Sequence, residues 1–192
     1  AAAAAVGIIV GVVTLTGTGF RLSFVVTQVA SNLGGWISSG WLGMFLTQNG
    51  LALFFTLLFT AVACIIMGAG IPTTATYIIL VSVAAPALAL LGVQPLVAHF
   101  FVFYYGVLAD ITPPVALAAY AGAGIAGANP FKTGNTAFKL GIAKALVPFV
   151  FVYSPALLLV TPEFALNDFL ITLSGAMIGI ALIGVGFSGF LF

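Results

Sequence analysis

The stretch LALFFTLLFTAVACIIMGAGIPTTATYIILVSVAAPALALL, residues 51–91, decides the fold class of this 192-residue chain. Two apolar runs, 51–67 and 75–91, flank a tip, GAGIPTT, at 68–74. Glycine favours the end of one helix, and proline suits the first turn of the next. The stretch therefore predicts a helical hairpin with a tip of Gly, Pro and Thr.

Charged residues are almost absent around this hairpin. None of the residues in 22–109 is Asp, Glu, Lys or Arg, and such residues make up 4% of the chain, against about 25% in soluble domains. Further charge-free windows lie at 1–20, 111–131, 145–162 and 169–192. A membrane helix needs about 20 apolar residues, whereas a barrel would show alternating segments of about ten. The pattern predicts an all-α polytopic membrane protein.

The composition also excludes several classes of function. A net charge of +1 provides no basic surface for nucleic acid. The lone Cys64 excludes disulfides and cysteine-based metal sites. The sequence has no GxSxG, HExxH or GxxxxGK[ST] motif, so we expect neither an enzyme nor a cofactor. The first residues, AAAAAVGIIVG, are not a signal peptide, and we expect the chain to be part of a longer protein.

A second interruption divides the apolar stretch 96–128. The sequence DITPP at 110–114 leaves 14 residues on either side of it, and each piece would be about 21 Å long, short of a core of about 30 Å. One span with a broken middle is therefore predicted. Thr112 is a suitable N-cap and Pro113 a suitable first helical residue, so we expect the second half to restart there.

The chain divides into three parts. They are a scaffold or arm span with an interfacial segment at 1–50, the hairpin with the broken helix at 51–128, and a polar loop with two further spans at 129–192. The first span is expected from about Ala4 to about Ala30. The following stretch, SNLGGWISSGWLG at 31–43, is predicted to lie at a membrane interface, because Trp36 and Trp41 favour the headgroup level.

Lysines orient the chain in the membrane. Lys132, Lys139 and Lys144 lie in and after the loop NPFKTGNT at 129–136, and cytoplasmic loops carry an excess of Lys and Arg. This places the loop in the cytoplasm and the open end of the hairpin outside, with the tip pointing inward. The last two spans are expected at about 141–160 and 169–190, joined outside by a turn with Pro162 and Glu163. If 96–128 formed two full spans instead of one, the hairpin would enter the membrane from the opposite side.

The two interruptions are the candidate functional site. Backbone breaks inside a membrane persist where they line a cavity or are buried in protein. Each break sets helix-end carbonyls beside helix-start amides, an arrangement that binds ions and substrates in secondary transporters. The residues expected to bind ion or substrate are Gly68, Gly70, Pro72, Thr73, Thr74, Asp110, Thr112, Pro113 and Pro114. A Na⁺ site is predicted at Gly68, Thr73, Ala109 and Thr112. The alternative is a simple turn at 68–74 and an ordinary proline kink at 110–114.

Three further features are candidates. Asp110 is the only acid before residue 163, and an intramembrane carboxylate could bind Na⁺, carry a proton or cap the next half-helix. His99 could serve as a relay or simply bond to a neighbouring helix. Tyr105 could line a substrate path or fill the core. The stretch TLTGTG at 14–19 predicts either a third break or a close helix–helix contact.

Four stretches resemble the large membrane subunit of tripartite ATP-independent periplasmic (TRAP) transporters. They are GAGIPTTATYIIL at 68–80, PLVAHFFVFYYG at 95–106, DITPPVALAAYAGAGIAGANPFKTG at 110–134 and VPFVFVYSPALLL at 147–159. The run AHFFVFYYG narrows the resemblance to the branch that pairs with TAXI-type solute-binding proteins. In that branch the small and large membrane subunits are often fused.

The resemblance implies an elevator-type transporter built from two inverted halves, each with a re-entrant hairpin and a broken helix. The chain is similar to the second, C-terminal half. The implied function is uptake of a small organic acid across the bacterial inner membrane, coupled to Na⁺ or H⁺, with the substrate delivered by a periplasmic TAXI-type protein. The family's ion and substrate region carries over onto Gly68, Gly70, Pro72, Thr73 and Thr74, and onto Thr112, Pro113 and Pro114. The alternatives are an uncoupled channel and a structural membrane subunit.

Overall fold

The computed structural model describes residues 2–40, 43, 45–159 and 164–189. Within these ranges the helices are α1 Ala2–Thr16, α2 Thr18–Ser38, α3 Gln48–Gly68, α4 Thr73–Ala89, α5 Pro95–Leu108, α6 Leu117–Ala126, α7 Pro130–Gly141, α8 Leu146–Tyr153 and α9 Leu166–Ser188. Short 3₁₀ turns occupy Ala109–Ile111, Ile142–Ala145 and Pro155–Leu158. The described part of the chain contains no strand, as the sequence predicts.

Several helical stretches are long and apolar enough to cross a membrane. They are Gln48–Gly68, Pro130–Tyr153 and Leu166–Phe187. The pair α1 and α2 meets the same criterion as one span, but it is bent by 67°. Helices α4, α5 and α6 are apolar and shorter. The chain is therefore an all-α, multi-pass membrane protein.

The predicted hairpin is formed by α3 and α4, and α5 packs against both of them. Leu57 of α3, Leu80 of α4 and Phe101 of α5 are buried to 2% exposure or less. Their side chains belong to one apolar cluster that also includes Cys64 and Tyr105. The hairpin and the first half of the broken helix therefore form a single packed unit.

The stretch at 14–19 is both a break and a close contact. Gly17 has a φ of 65°, a left-handed conformation that glycine adopts without strain, and it separates α1 from α2. Gly19 lies against α4, because a Cβ at Gly19 would fall 2.6 Å from the carbonyl oxygen of Ser82. Gly17 therefore forms the predicted break, and Gly19 forms the predicted close helix–helix contact.

The expected end of the first span at about Ala30 is wrong, while the interfacial position of 31–43 stays a prediction. Helix α2 continues to Ser38, so residues 31–38 are helical. The glycine pair within it promotes packing instead of breaking the helix, because a Cβ at Gly34 would lie 3.1 Å from the amide nitrogen of Ala52. Trp36 is exposed, and Trp41 lies outside the described residues.

The predicted polar loop at 129–136 is also wrong, because residues 130–136 lie in α7. Asn129 is the N-cap, and its Oδ1 accepts a hydrogen bond of 3.0 Å from the amide of Lys132. Pro130 occupies the first helical position, where its missing N–H costs nothing. The start signals were present in the sequence, but the polar composition obscured them. Pro162 and Glu163 lie outside the described residues.

The segment Pro130–Tyr153, made of α7, a 3₁₀ turn and α8, packs against α5. The Tyr105 hydroxyl of α5 donates a hydrogen bond to the carbonyl of Ala145 in that turn. Phe149 of α8 contacts Phe101 of α5, with ring centroids 5.7 Å apart. These contacts fix α8 and the turn before it relative to α5.

Candidate functional site

The hairpin tip is a four-residue turn between two helix ends. Gly68 closes α3, and the amide of Ile71 donates a 3.4 Å hydrogen bond to its carbonyl. Gly70 has a φ of 83°, which a residue with a Cβ rarely adopts. Pro72 precedes the first helical residue of α4. The local residues thus determine the tip, as the sequence predicts.

The break lies between α5 and α6. After the 3₁₀ turn Ala109–Ile111, Thr112 is extended with φ −95° and ψ 120°. The peptide bond between Pro113 and Pro114 is cis, and Ala116 has a left-handed φ of 35°. The second half-helix therefore starts at Leu117.

The expected role of Thr112 as an N-cap is wrong. Its hydroxyl donates a 2.8 Å hydrogen bond backwards to the carbonyl of Leu108, and its amide bonds at 3.1 Å to the carbonyl of Ala109. Thr112 therefore closes the end of α5 and does not open α6. Thr112 precedes Leu117, the first residue of α6, by five residues, so its side chain is too far from that helix start to cap it.

The structure brings the tip and the break together. A Cβ placed on Gly68 would lie 2.9 Å from the Cβ of Ala109 and 3.4 Å from the carbonyl oxygen of Gly106. A Cβ on Gly70 would lie 3.6 Å from a methyl group of Val115. Only a residue without a side chain lets α3 end this close to the broken helix.

The tip presents free polar groups at this junction. The first helical hydrogen bond of α4 runs from the amide of Thr76 to the carbonyl of Pro72, at 2.9 Å. The amides of residues 73–75 precede it and have no partner within the helix. Among the described residues, the hydroxyls of Thr73 and Thr74 make no hydrogen bond, and Thr74 is exposed. This helix start can receive an anionic group.

Not all predicted site residues meet. Gly68 and Ala109 are in contact distance, whereas Thr73 and Thr112 are not hydrogen-bonded to each other in the described structure. The carbonyls of Leu108 and Ala109 each already accept one hydrogen bond. No cluster of three His, Cys, Asp or Glu side chains occurs in the described ranges. A cation at this junction would therefore depend on carbonyl and hydroxyl oxygens.

Thr76 is a tip residue that the sequence argument missed. It is 1% exposed, and its hydroxyl donates a 3.1 Å hydrogen bond to the carbonyl of Ile71. Its methyl group would lie 3.1 Å from a Cβ on Gly68 and 3.3 Å from one on Gly106. Thr76 thus holds the tip and touches the broken helix. The available signal was its position three residues after Thr73, on a mainly apolar helix.

Replacing Thr76 with valine should loosen the tip. The variant keeps the methyl contact but leaves the Ile71 carbonyl without its donor, a loss of about 0.5–1.5 kcal/mol. We expect a lower thermal midpoint for the purified protein in detergent. The control is Thr136→Val, since the exposed Thr136 makes a comparable bond to a backbone carbonyl within α7. Equal midpoints for the two variants would contradict this role of Thr76.

Asp110 lies in the 3₁₀ turn and is half-buried. It lines a cavity of about 390 Å³ together with Lys144. Since Ala109 faces the tip, and successive helical residues differ by about 100°, Asp110 is directed to another side of the helix. It is therefore next to the tip contact but not part of it.

His99 and Tyr105 both contact neighbouring elements. The Nδ1 of His99 lies 2.7 Å from the hydroxyl oxygen of Tyr77 on α4, so this histidine bonds to a neighbouring helix. The Tyr105 hydroxyl donates a hydrogen bond to the carbonyl of Ala145. The ring of Tyr105 lines a mainly apolar cavity of about 760 Å³ between α3, α8 and α9. The structure joins neither residue to Asp110 by a hydrogen bond.

Comparison with known proteins gives one family. Residues 1–166 match the family described as "Tripartite ATP-independent periplasmic transporter, DctM component". No curated protein and no solved structure matches the chain significantly. The match covers the hairpin, the broken helix, α7 and α8.

Proposed function

Because this chain belongs to the DctM family of tripartite ATP-independent periplasmic transporters, we propose that its tip–break junction binds a small organic acid and a coupling ion during uptake. The family implies secondary transport with a periplasmic solute-binding protein. The observation that carries the proposal is the approach of Gly68 to Ala109. It places two helix ends and one helix start at a single point.

The proposed chemistry uses opposite ends of the helix dipoles. The free amides at the start of α4, with the hydroxyls of Thr73 and Thr74, would receive the substrate carboxylate. The carbonyl ends of α3 and α5, at Gly68 and Ala109, would hold a cation. Bound ion and substrate would then neutralise each other at the junction.

The remaining parts of the proposal concern assembly and motion. The hairpin is re-entrant and opens to the periplasm, and it moves with the broken helix as an elevator against a scaffold. The partner that delivers substrate is a TAXI-type binding protein, and a small membrane subunit, separate or fused, completes the transporter in the bacterial inner membrane. The packing of α3, α4 and α5 around one apolar cluster supports motion as a unit.

Uptake by the complete membrane subunit in proteoliposomes tests this proposal. Labelled carboxylates and the binding protein are supplied outside, and Na⁺ and pH gradients are imposed separately. We expect flux to require one gradient and the binding protein. Thr73→Val should raise the half-saturating substrate concentration about tenfold, the loss of one hydrogen bond to a charged group, while Thr136→Val should not. Flux without gradient or binding protein would instead indicate a channel, and an unaffected Thr73→Val variant would indicate a structural role for the tip.

A further inference from the structure

The cavity beside the broken helix contains two opposite charges. Its volume is about 390 Å³, and its wall comes from α5, the turn that follows, α6, and the 3₁₀ turn Ile142–Ala145. The charged residues in this wall are Asp110 and Lys144. Within the described part of the chain neither of them has an ion-pair partner within 4 Å. The two charges therefore share a space without touching in this conformation.

Both charges lie in 3₁₀ turns that interrupt apolar helical segments, Asp110 after α5 and Lys144 between α7 and α8. Lys144 is nine residues before Tyr153 in the apolar stretch Pro130–Tyr153, which corresponds to about 14 Å from that end. Asp110 is fifteen residues after Pro95, about 22 Å from the start of α5. The hydrogen bond from Tyr105 to Ala145, the residue after Lys144, fixes the two segments side by side. Both distances are shorter than a membrane core of about 30 Å, so a segment that begins at the core boundary carries its charge inside the core.

This cavity is separate from the tip contact. Gly106 and Ala109 are the broken-helix residues that approach the tip, whereas Phe103, Val107 and Asp110 line the cavity. At about 100° per residue, these two sets occupy different faces of α5. A role for Asp110 in the cavity therefore does not require it to bind the transported ion.

A charge inside a membrane is costly unless it pairs or faces water, and breaking such a pair leaves one charge uncompensated. Lys144 is exposed and Asp110 is half-buried, and the other charged residues Arg21, Lys132, Lys139 and Asp168 do not line this cavity. We propose that Asp110 and Lys144 are each other's counter-charge, so that Lys144 is a positioning residue that couples the broken helix to the segment Pro130–Tyr153. The pair closes when the cavity contracts and separates when it opens.

A charge-rescue cycle on the complete membrane subunit tests the pair. The variants are Asp110→Asn, Lys144→Gln and the double variant, with Lys139→Gln as the matched control on the preceding helix. Each single neutralisation should lower the yield of folded protein and, where uptake is observed, its initial rate by about tenfold. The double variant should recover to within about threefold of wild type, since residues coupled through a shared cavity or an ion pair act non-additively. Exchange of the two charges, Asp110→Lys with Lys144→Asp, should recover part of the rate, whereas Lys139→Gln should change neither quantity.

The outcomes separate this proposal from the transport proposal. Folded yield is measured without substrate, so the cycle remains readable if the protein carries no organic acid. Additive losses in the double variant, or a wild-type yield and rate for Lys144→Gln, would overturn the pair. A Lys144→Gln variant with a raised KM, an unchanged kcat and no rescue by Asp110→Asn would also overturn it, because the lysine would then contact the substrate.

Discussion

Replacing Gly68 with alanine is expected to reduce uptake by about tenfold or more. The new Cβ would lie 2.9 Å from the Cβ of Ala109 and 3.1 Å from the methyl group of Thr76. A Cβ is fixed to the backbone, so the contact with Ala109 cannot be relieved by a side-chain rotation. Overpacking of this kind costs about 1–3 kcal/mol, which corresponds to about one to two decades in an equilibrium. The tip would be pushed away from the break.

The double variant Gly68→Ala/Ala109→Gly provides the rescue. The second change removes the Cβ of residue 109 and so makes room for the new Cβ at residue 68. We expect the double variant to recover most of the uptake. Gly175→Ala on α9 is the control, because a Cβ there meets nothing within 4 Å. Alanine normally favours a helix over glycine by about 1 kcal/mol, so any loss in Gly68→Ala must come from the contact. Wild-type uptake in Gly68→Ala, measured with the binding protein present, would show that tip and break need not touch.

The hairpin and the break could be predicted because each depends on local chemistry. The glycine pair at 68 and 70 and the proline at 72 specify a turn wherever they stand, and Pro113 with Pro114 interrupts a helix in any environment. The sequence therefore predicts both interruptions and the approximate bounds of α3 to α6. The restart of α6 was misplaced because Thr112 has two capping directions, and only the fold selects the backward one.

The contact between tip and break could not be predicted in detail. Gly68 and Ala109 are distant in the sequence, and their approach depends on how α3 and α5 pack through Leu57 and Phe101. Thr76 was missed for the same reason, since its neighbours Gly68 and Gly106 belong to two other helices, α3 and α5. Lys144 was interpreted only as a marker of orientation, because its shared cavity with Asp110 is a tertiary property.

The replacement of Gly19 with alanine should cause the largest loss of stability in the first part of the chain. Here the obstacle is backbone, since the new Cβ would lie 2.6 Å from the carbonyl oxygen of Ser82. That carbonyl belongs to the residue four positions before Pro86. Because proline has no N–H, the carbonyl lacks its helical hydrogen bond and faces α2. One turn later, the hydroxyl of Ser23 donates a 2.9 Å hydrogen bond to the carbonyl of Val83. Glycine is thus required where α2 approaches the proline-weakened face of α4.

Because neither Gly19 nor Ser82 can rotate out of the way, α2 and α4 must separate, and the bond from Ser23 would lengthen with them. We expect a loss of about 1–3 kcal/mol in the free energy of unfolding, seen as a lower thermal midpoint for the purified protein in detergent. Gly11→Ala on α1 is the matched control, since nothing lies within 4 Å of a Cβ there, and it should keep or raise the midpoint. A Gly19→Ala midpoint equal to that of Gly11→Ala would mean that α2 does not pack on α4 at this distance.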